Sequence, residues 1–586
     1  MPTKVLFAAL AASVLAAVVS VSPGVSAQAG AAPSGAAPSG AALSGSVTSR
    51  EEGKMEGVLV TARRDGANFD VTVVSDAQGK YSFPRTHLKE AGTYAVKIRA
   101  VGFDLANAPV STAVDAGKTA TLDLTLQAAR DVSSQISSVE WITSVPGTAA
   151  EKALVIKQIA SCTYCHSLER VLKSRHTAEQ FVPVITRMQK YYPDGTTVGT
   201  EGRGRAQLDS QAAAVAAEKN PSFGYVPGAN KVELGRYLAT INQSGGRPLP
   251  ATFTLLPRPK GKGTRVIITQ YDMPRRDTVA HDMDVARDGN PWYTDQSRPF
   301  IGTMNAKTGQ FTEFPIRPLG KDTHHAFAGA SDIQMDREGY AWFPTTDDSV
   351  NNHFGLIHKF DPKTKTFTPT TGYTGSPTTQ FMSIGPDGKI WSGFGTFVRI
   401  DPKTAKVDWE FDWTKAPNLP KGPHSGYEIA VDPKGNPWIT DFSGSAIIGV
   451  DVNTKALKYF PTRTPAAQPR RGKIDAQGRY WFGEYTGDKI GMFDTNTEKF
   501  TEFDPKIPFA APYTASLPDA SGRVYAPSNT ADRVFRVDSK TGEVVTYLMP
   551  VKDFDTKQVT IDPVGGKAVW FANERNARIV KIEPLD

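Results

Sequence analysis

Among 586 residues there are only two cysteines, Cys162 and Cys165, and His166 directly follows the second. Three chemistries use such a triplet. Two thiols three positions apart on a turn of helix can each form a thioether to one edge of a porphyrin, and the next side chain then falls over the iron. This is c-type haem attachment with His166 as the proximal ligand. A thioredoxin-like redox disulfide needs a βαβ pattern around the pair, and none is present. A zinc half-site needs a second Cys/His pair at finger spacing, which is missing too. A structural disulfide would close too small a loop to staple a chain of this size. The sequence therefore predicts one covalent haem c.

The elements that would hold it are helical. In "EKALVIKQIA", Leu154, Ile156, Ile159 and Ala160 fall near one face just before the cysteines. In "TAEQFVPVITRMQKYY", Thr177 and Gln180 form a capping box, and Phe181, Val184, Ile185 and Met188 recur at i, i+3, i+4, i+7. Pro183 predicts a late start or a kink. In "KVELGRYLATIN", Leu234, Tyr237, Leu238 and Ile241 repeat the spacing. Residues 147–248 thus resemble a small class I cytochrome c. The resemblance implies a methionine as sixth ligand, for which Met188 is the candidate. His176 and an open site are the alternatives.

From residue 264 onward the chain repeats. "DGNPWYTD", "REGYAWFP", "DGKIWSGF", "KGNPWITD", "QGRYWFGE", "SGRVYAPS" and "GGKAVWFA" recur roughly every 43 to 50 residues, the range of four-stranded propeller blades. The last repeat lacks its closing aromatic strand, and "TRVIITQYDMP" at 264–274 resembles that missing piece. The expectation is a seven-bladed β-propeller over 264–586, closed by an N-terminal strand paired into the final blade. Trp292, Trp342, Trp391, Trp438, Trp481 and Trp570 recur once per blade, as packing between blades requires.

The "DGxxW" runs and "IGxxDxxTxxFTEF" strands resemble the virginiamycin B (streptogramin) lyase family. Those lyases open a cyclic depsipeptide ester by elimination, with a histidine base and a magnesium held by two glutamates. Glu484 of "WFGEY" keeps one of those glutamate positions. Where the family pattern wants Glu-x-His, this chain reads "QPRRGKI" with Arg470 and Arg471. Arginine is not a general base near neutral pH and would repel a divalent metal, so lyase chemistry is disfavoured. His281, His324, His325 and His424 sit on loops leading into innermost strands. Together with Asp295, Asp441 and Glu484 they are candidates to converge on the channel mouth and hold a second metal or a polar substrate. Arg470 and Arg471 would suit an anionic small-molecule substrate.

The remaining segments complete a mainly β, multidomain expectation. Residues 1–27 read as a secretory signal peptide: Lys4, an Ala/Val/Leu-rich run, then the small-residue site Val25-Ser26-Ala27. No later run is long enough to span a bilayer, so the mature chain is expected without a transmembrane anchor, periplasmic or secreted. Residues 28–46 read as an Ala/Pro/Ser/Gly linker. Residues 47–128 resemble carboxypeptidase-regulatory-like β-sandwich modules, through Gly57-Val58-x-Val60, Asp76-x-x-Gly79-x-Tyr81-x-Phe83 and Gly92-x-Tyr94 to Gly102-Phe103. The formal net charge is +7, with no dense Lys/Arg block, which argues against nucleic-acid binding. The functional expectation is a haem-dependent oxidoreductase that passes electrons from a propeller-bound substrate to an external acceptor such as a soluble cytochrome. A lyase and a non-catalytic electron-transfer or ligand-binding scaffold are the alternatives.

Overall fold

The computed structural model describes residues 40–156, 163, 166–191, 228–296, 298, 300–316, 327–347, 354–369, 381–393, 395–404 and 406–586. The expected signal peptide, most of the expected linker, Cys162, Cys165, His324 and His325 lie outside these residues. Within them the chain is mainly β, with a β-sandwich-like region first, a short helical region next and a long run of antiparallel sheets last.

In the first region, Ala41–Ser49 pairs with Lys80–Pro84 on one edge and Leu124–Ala128 on the other, while Leu59–Arg64 lies between Phe69–Val74 and Gly92–Arg99. Alternate residues turn inward, so Val58, Val60, Val71, Val73, Tyr81, Phe83, Val96 and Leu124 form one buried cluster. The first strand begins at Ala41, inside the segment expected as linker, and Ala41, Ala42 and Leu43 are buried. Small residues that read as a tether by composition are selected here because the strand runs under close neighbours. A Cβ on Gly45 would meet the Leu122 carbonyl oxygen at 1.8 Å.

The helical region holds Ser138–Ser144, Ala149–Ile156, Glu169–Leu172, Ala178–Tyr191 and Gly228–Ile241. The capping box of the fourth forms, with Gln180 Oε1 accepting from Thr177 N at 2.9 Å and Thr177 Oγ1 from Gln180 N at 3.3 Å. That helix starts on its cap and runs through Pro183, whose ring is solvent-exposed. The late start expected from Pro183 does not occur. The helix Ser138–Ser144 precedes the expected domain start at 147. Its own capping box, Ser137 with Glu140, was a legible signal that the apolar periodicity did not reveal.

Seven successive antiparallel sheets follow among the described residues, over 280–315, 327–369, 382–412, 426–461, 469–503, 523–548 and 560–584. One device recurs. Trp342, Trp438, Trp481 and Trp570 donate their indole N–H to Asp336, Asp432, Asp475 and Asp562 at 2.8, 3.0, 3.0 and 3.1 Å. The other oxygen of Asp432 accepts the backbone N–H groups of Lys434 and Asn436, so one carboxylate ties the turn to the ring that packs beneath it. Two of the recurring Trp rings meet an aromatic ring of the neighbouring sheet: Trp292 lies 5.8 Å from Phe360 and Trp438 5.6 Å from Phe493, centroid to centroid. The glycine of the "IG" motif has a cause as well. A Cβ on Gly491 would stand 2.2 Å from the ring of Phe482, its cross-strand partner.

The strand Val266–Asp272 pairs along its whole length with Arg578–Pro584, from Val266 opposite Pro584 to Asp272 opposite Arg578. Its other edge pairs with Phe69–Val74 of the N-terminal region, from Ile267 opposite Val73 to Tyr271 opposite Phe69. The last sheet of the C-terminal run and one sheet of the sandwich are therefore one continuous eight-stranded sheet.

Candidate functional site

Inner strands of the C-terminal sheets bring distant residues onto one axis, and Arg471 occupies it. Strand Pro469–Ile474 turns this side chain inward, where it is fully buried. Its Nη1 and Nη2 each donate to Asp282 at 2.6 Å, its Nε donates to Glu428 at 2.6 Å, and Nη1 and Nη2 reach Lys557 O and Gln558 Oε1 at 3.1 Å. The guanidinium thus joins four of the seven sheets. Burial alone would lower its pKa, but Asp282 and Glu428 raise it well above the ordinary value. Burial pushes Asp282 up, yet Arg471 and then His281 pull its carboxyl well below the usual range. Arg471 is consequently a structural hub and offers nothing to an anionic substrate.

Arg470 points to the opposite side of the same strand and is also fully buried. It lies 4.0 Å from the ring centroid of Tyr513, 4.4 Å from Tyr485, 5.0 Å from Tyr427 and 5.7 Å from Phe442. This aromatic box replaces the exposed anion site expected from the sequence.

Of the groups expected to converge, His424, Asp295 and Asp441 bond to their own loops, and His281 bonds to its strand neighbour Asp282. His424 donates from Nδ1 to Asp441 at 2.6 Å and from Nε2 to Pro420 O at 2.7 Å. Both ring nitrogens face acceptors, which favours the protonated imidazole and leaves no nitrogen open for a metal. Burial lowers its pKa, and the bonds to Asp441 and Pro420 raise it further than burial lowers it. His281 is buried with Nδ1 on Asp282 at 2.8 Å. Asp441 also accepts from Ser425 N at 2.9 Å, and Asp295 accepts from Val279 N at 3.2 Å and Arg275 at 2.8 Å. At the end of the second strand these carboxylates close the loop leading into the same sheet. Among the described residues no group of three or more His, Cys, Asp or Glu side chains is arranged to hold a metal ion.

Glu484 stands at the equivalent position, opposite Pro469, but makes no such bond. It is fully buried, and neither carboxyl oxygen has a hydrogen-bond partner among the described residues. Burial, and then the Glu502 carboxylate, push its pKa up to about 8, against a smaller opposing pull from Lys489. The folded chain therefore holds this proton where the unfolded chain has lost it, and stability falls as pH rises from about 4.5 to about 8. The slope from this group approaches roughly 1.4 kcal/mol per pH unit. Glu484→Gln should flatten that fall, read as melting temperature between about pH 5 and about pH 9. An unchanged pH profile in the variant would refute the assignment.

Near the cysteines, His166 is partly buried and its Nδ1 donates to the Ser167 carbonyl at 2.9 Å. Its pKa is lowered first by burial and then by Arg170 and Arg575, against the Ser167 bond. Apolar side chains gather in the same region: Trp141, Ile142, Val155, Ile156, Leu168, Leu172, Phe181 and Leu238 are all buried in one cluster. The Met188 backbone is helical, and its side chain lies outside what the structure describes. His176 is exposed, with its ring edge-on to Phe181 at 5.5 Å. The helical region rests on one face of the sheet run. Arg575 donates to Thr163 O, Lys552 pairs with Glu169, and Val139 N donates to Thr530 O at 3.1 Å. Sequence reasoning did not foresee this seam, because its partners are hundreds of residues apart.

Comparison with known proteins bears on the two β-regions. Residues 414–585 match the Virginiamycin B lyase family, and residues 42–127 match the carboxypeptidase regulatory-like domain. No curated protein matches the chain. Among solved structures, a selenomethionine-substituted virginiamycin B lyase from Staphylococcus aureus is 22% identical, with a TM-score of 0.45, over 54% of this chain and 99% of that one. A streptogramin B lyase structure is 20% identical, with a TM-score of 0.45, over 56% of this chain and all of that one. U3-55K is 7% identical, with a TM-score of 0.43, over 54% of this chain and 98% of that one. Residues 42–127 thus resemble a carboxypeptidase regulatory-like domain, and residues 414–585 resemble the virginiamycin B lyase family.

Proposed function

We propose that this chain is an exported electron-transfer protein, in which a class I cytochrome c-like segment sits on a seven-bladed, lyase-like propeller. The observation that carries this reading is the placement of His166. With Nδ1–H held by the Ser167 carbonyl, Nε2 is the nitrogen left for a metal, the arrangement that second-sphere bonds impose on ligating histidines. The buried apolar cluster on the flanking helices, with Ile156, Leu168 and Leu172, supports the reading because a porphyrin needs an apolar lining. Cys162 and Cys165 would attach it, with Met188 or His176 as candidates for the far side. When bound, a haem c exchanges single electrons. The protein's own part is to fix the His166 tautomer, exclude water through Leu168 and Leu172, and hold the segment against the propeller face through Arg575 and Lys552. The expected partners are a small-molecule donor and a periplasmic acceptor such as a soluble cytochrome.

Protein made in cells able to mature c-type cytochromes should show a pyridine haemochrome spectrum and a peptide mass raised by one haem. Cys162→Ala with Cys165→Ala should abolish both, and His166→Ala should leave the haem attached with an altered spectrum. Colourless protein of unmodified mass would end the haem reading.

The comparisons favour a second reading for the propeller, the ester-opening elimination of the lyase family. Glu484 is retained for it. Against it, Arg470 and Arg471 stand where the family pattern wants Glu-x-His; both are buried, and the Arg471 guanidinium is committed to Asp282 and Glu428. Ring-opening of a cyclic depsipeptide such as a streptogramin B, lost in Glu484→Ala, would establish the lyase. A purified protein that leaves the ring closed would exclude it.

A further inference from the structure

We infer that the seam between the helical region and the last two propeller sheets contains a binding site for a small, uncharged, hydroxyl-rich molecule. The site lies on the loops at 528–532, 551–559 and 573–576, where Gln558 also meets Arg471 through its Oε1. Four side chains there are buried to 2% exposure or less and keep polar atoms without a hydrogen-bond partner among the described residues. Asn529 has both its oxygen and its nitrogen so placed. Asn573 and Gln558 each leave an amide nitrogen, and Asp555 leaves Oδ1.

These atoms share one neighbourhood. Asp555 N donates to Asn573 Oδ1 at 3.3 Å, Lys557 Nζ lies 2.8 Å from Asp555 and 3.3 Å from Glu574, and Arg575 lies 3.4 Å from Asp555. The loop of Asn529 meets the same segment through Asp532, whose carboxylate accepts from Phe554 N at 3.0 Å. Above it, Thr163 and Glu169 of the helical region bind Arg575 and Lys552, so the neighbourhood is roofed over.

The chemistry of the occupant follows from charge and from the sex of the open atoms. Lys557 and Arg575 already pair with Asp555 and Glu574, so a ligand of net charge would have to compete with these buried ion pairs. The open atoms include three donors and two acceptors on side chains that cannot satisfy one another. An unmet buried polar atom costs about 1–3 kcal/mol, so several in one place call for a matching partner. A hydroxyl both donates and accepts, which makes a polyol or sugar the complementary class. The site adjoins the haem segment, since Thr163 helps to roof it, but its four open side chains lie on the sheet loops outside Cys162–His166.

Calorimetric titration of the full chain with myo-inositol and with D-glucose tests this, with citrate and spermidine as charged comparisons. The expected result is saturable heat from a neutral probe alone, weakened about tenfold in Asn529→Leu and in Asn573→Leu, the loss of roughly one hydrogen bond. Asn529→Ser, which keeps a small polar group, serves if the larger replacement does not fold. Heat from citrate or spermidine only, neutral binding unchanged in every folded variant, or no heat from any probe would overturn the inference. Haem content is read separately by haemochrome, so either proposal can fail without the other.

Discussion

Arg471→Met is expected to lower the unfolding free energy by about 3–5 kcal/mol, because it leaves the carboxylates of Asp282 and Glu428 buried without their cation. The side chain is fully buried and its fork meets Asp282 with two bonds of 2.6 Å. Asp332, buried nearby, already has its pKa raised well above the usual range, first by burial and then by Asp282, and it would rise further. Arg471→Lys should fall between the variant and the parent, since an ammonium restores charge without the planar fork. Adding Glu428→Gln to Arg471→Met should recover part of the loss by removing one stranded charge. Thermal or denaturant unfolding reads all three. A melting temperature for Arg471→Met within about 1 °C of the parent would show that the axis does not depend on this hub.

Deleting residues 264–274 should be more damaging still. Val266, Ile267 and Ile268 are buried, and each such side chain contributes roughly 1.5–3 kcal/mol by burial. Together this is about 5 kcal/mol or more, comparable to the whole stability of many domains. Both Arg578–Pro584 and Phe69–Val74 would lose their pairing partner at once. The expected outcome is a lower, broader melting transition and early proteolysis at both the sandwich and the last sheet. Thr269→Pro, which removes one ladder donor and stiffens the strand, should act in the same direction with smaller effect. An unchanged melting temperature after the deletion would rule out closure by this strand.

What was legible in the sequence was whatever repeats or stays local. Strand-turn-strand units with their Trp and Gly announce themselves because each sheet solves the same packing problem with the same residues. Capping boxes at Ser137 and Thr177 are readable because the partners are three residues apart. The charges were harder. Asp295 and Asp441 were correctly aligned with one another. Their direction depends on where the strand ends, however, and at that end they close a loop rather than line a channel. Arg470 and Arg471 are adjacent in sequence and project to opposite faces of one strand, so the first meets an aromatic box and the second an ion-paired axis. Nothing local distinguishes such arginines from a solvated pair. Asp282 and Arg471 are 189 residues apart, and Thr163 and Arg575 are 412 apart. Contacts of that range depend on how the sheets are arranged, which periodicity alone does not reveal.

The strand Val266–Asp272 is synthesised after its sandwich partner Phe69–Val74, but some three hundred residues before its other partner, Arg578–Pro584. A ribosome must therefore release some three hundred residues while one edge of a β-ladder waits unfilled, a delay that long-range pairing always imposes. During that interval the sandwich guards only one side of the strand. The open side is a template on which a second nascent copy could seat its own tail, so crowding during biogenesis, rather than heat, is the condition under which this architecture is most exposed to misassembly.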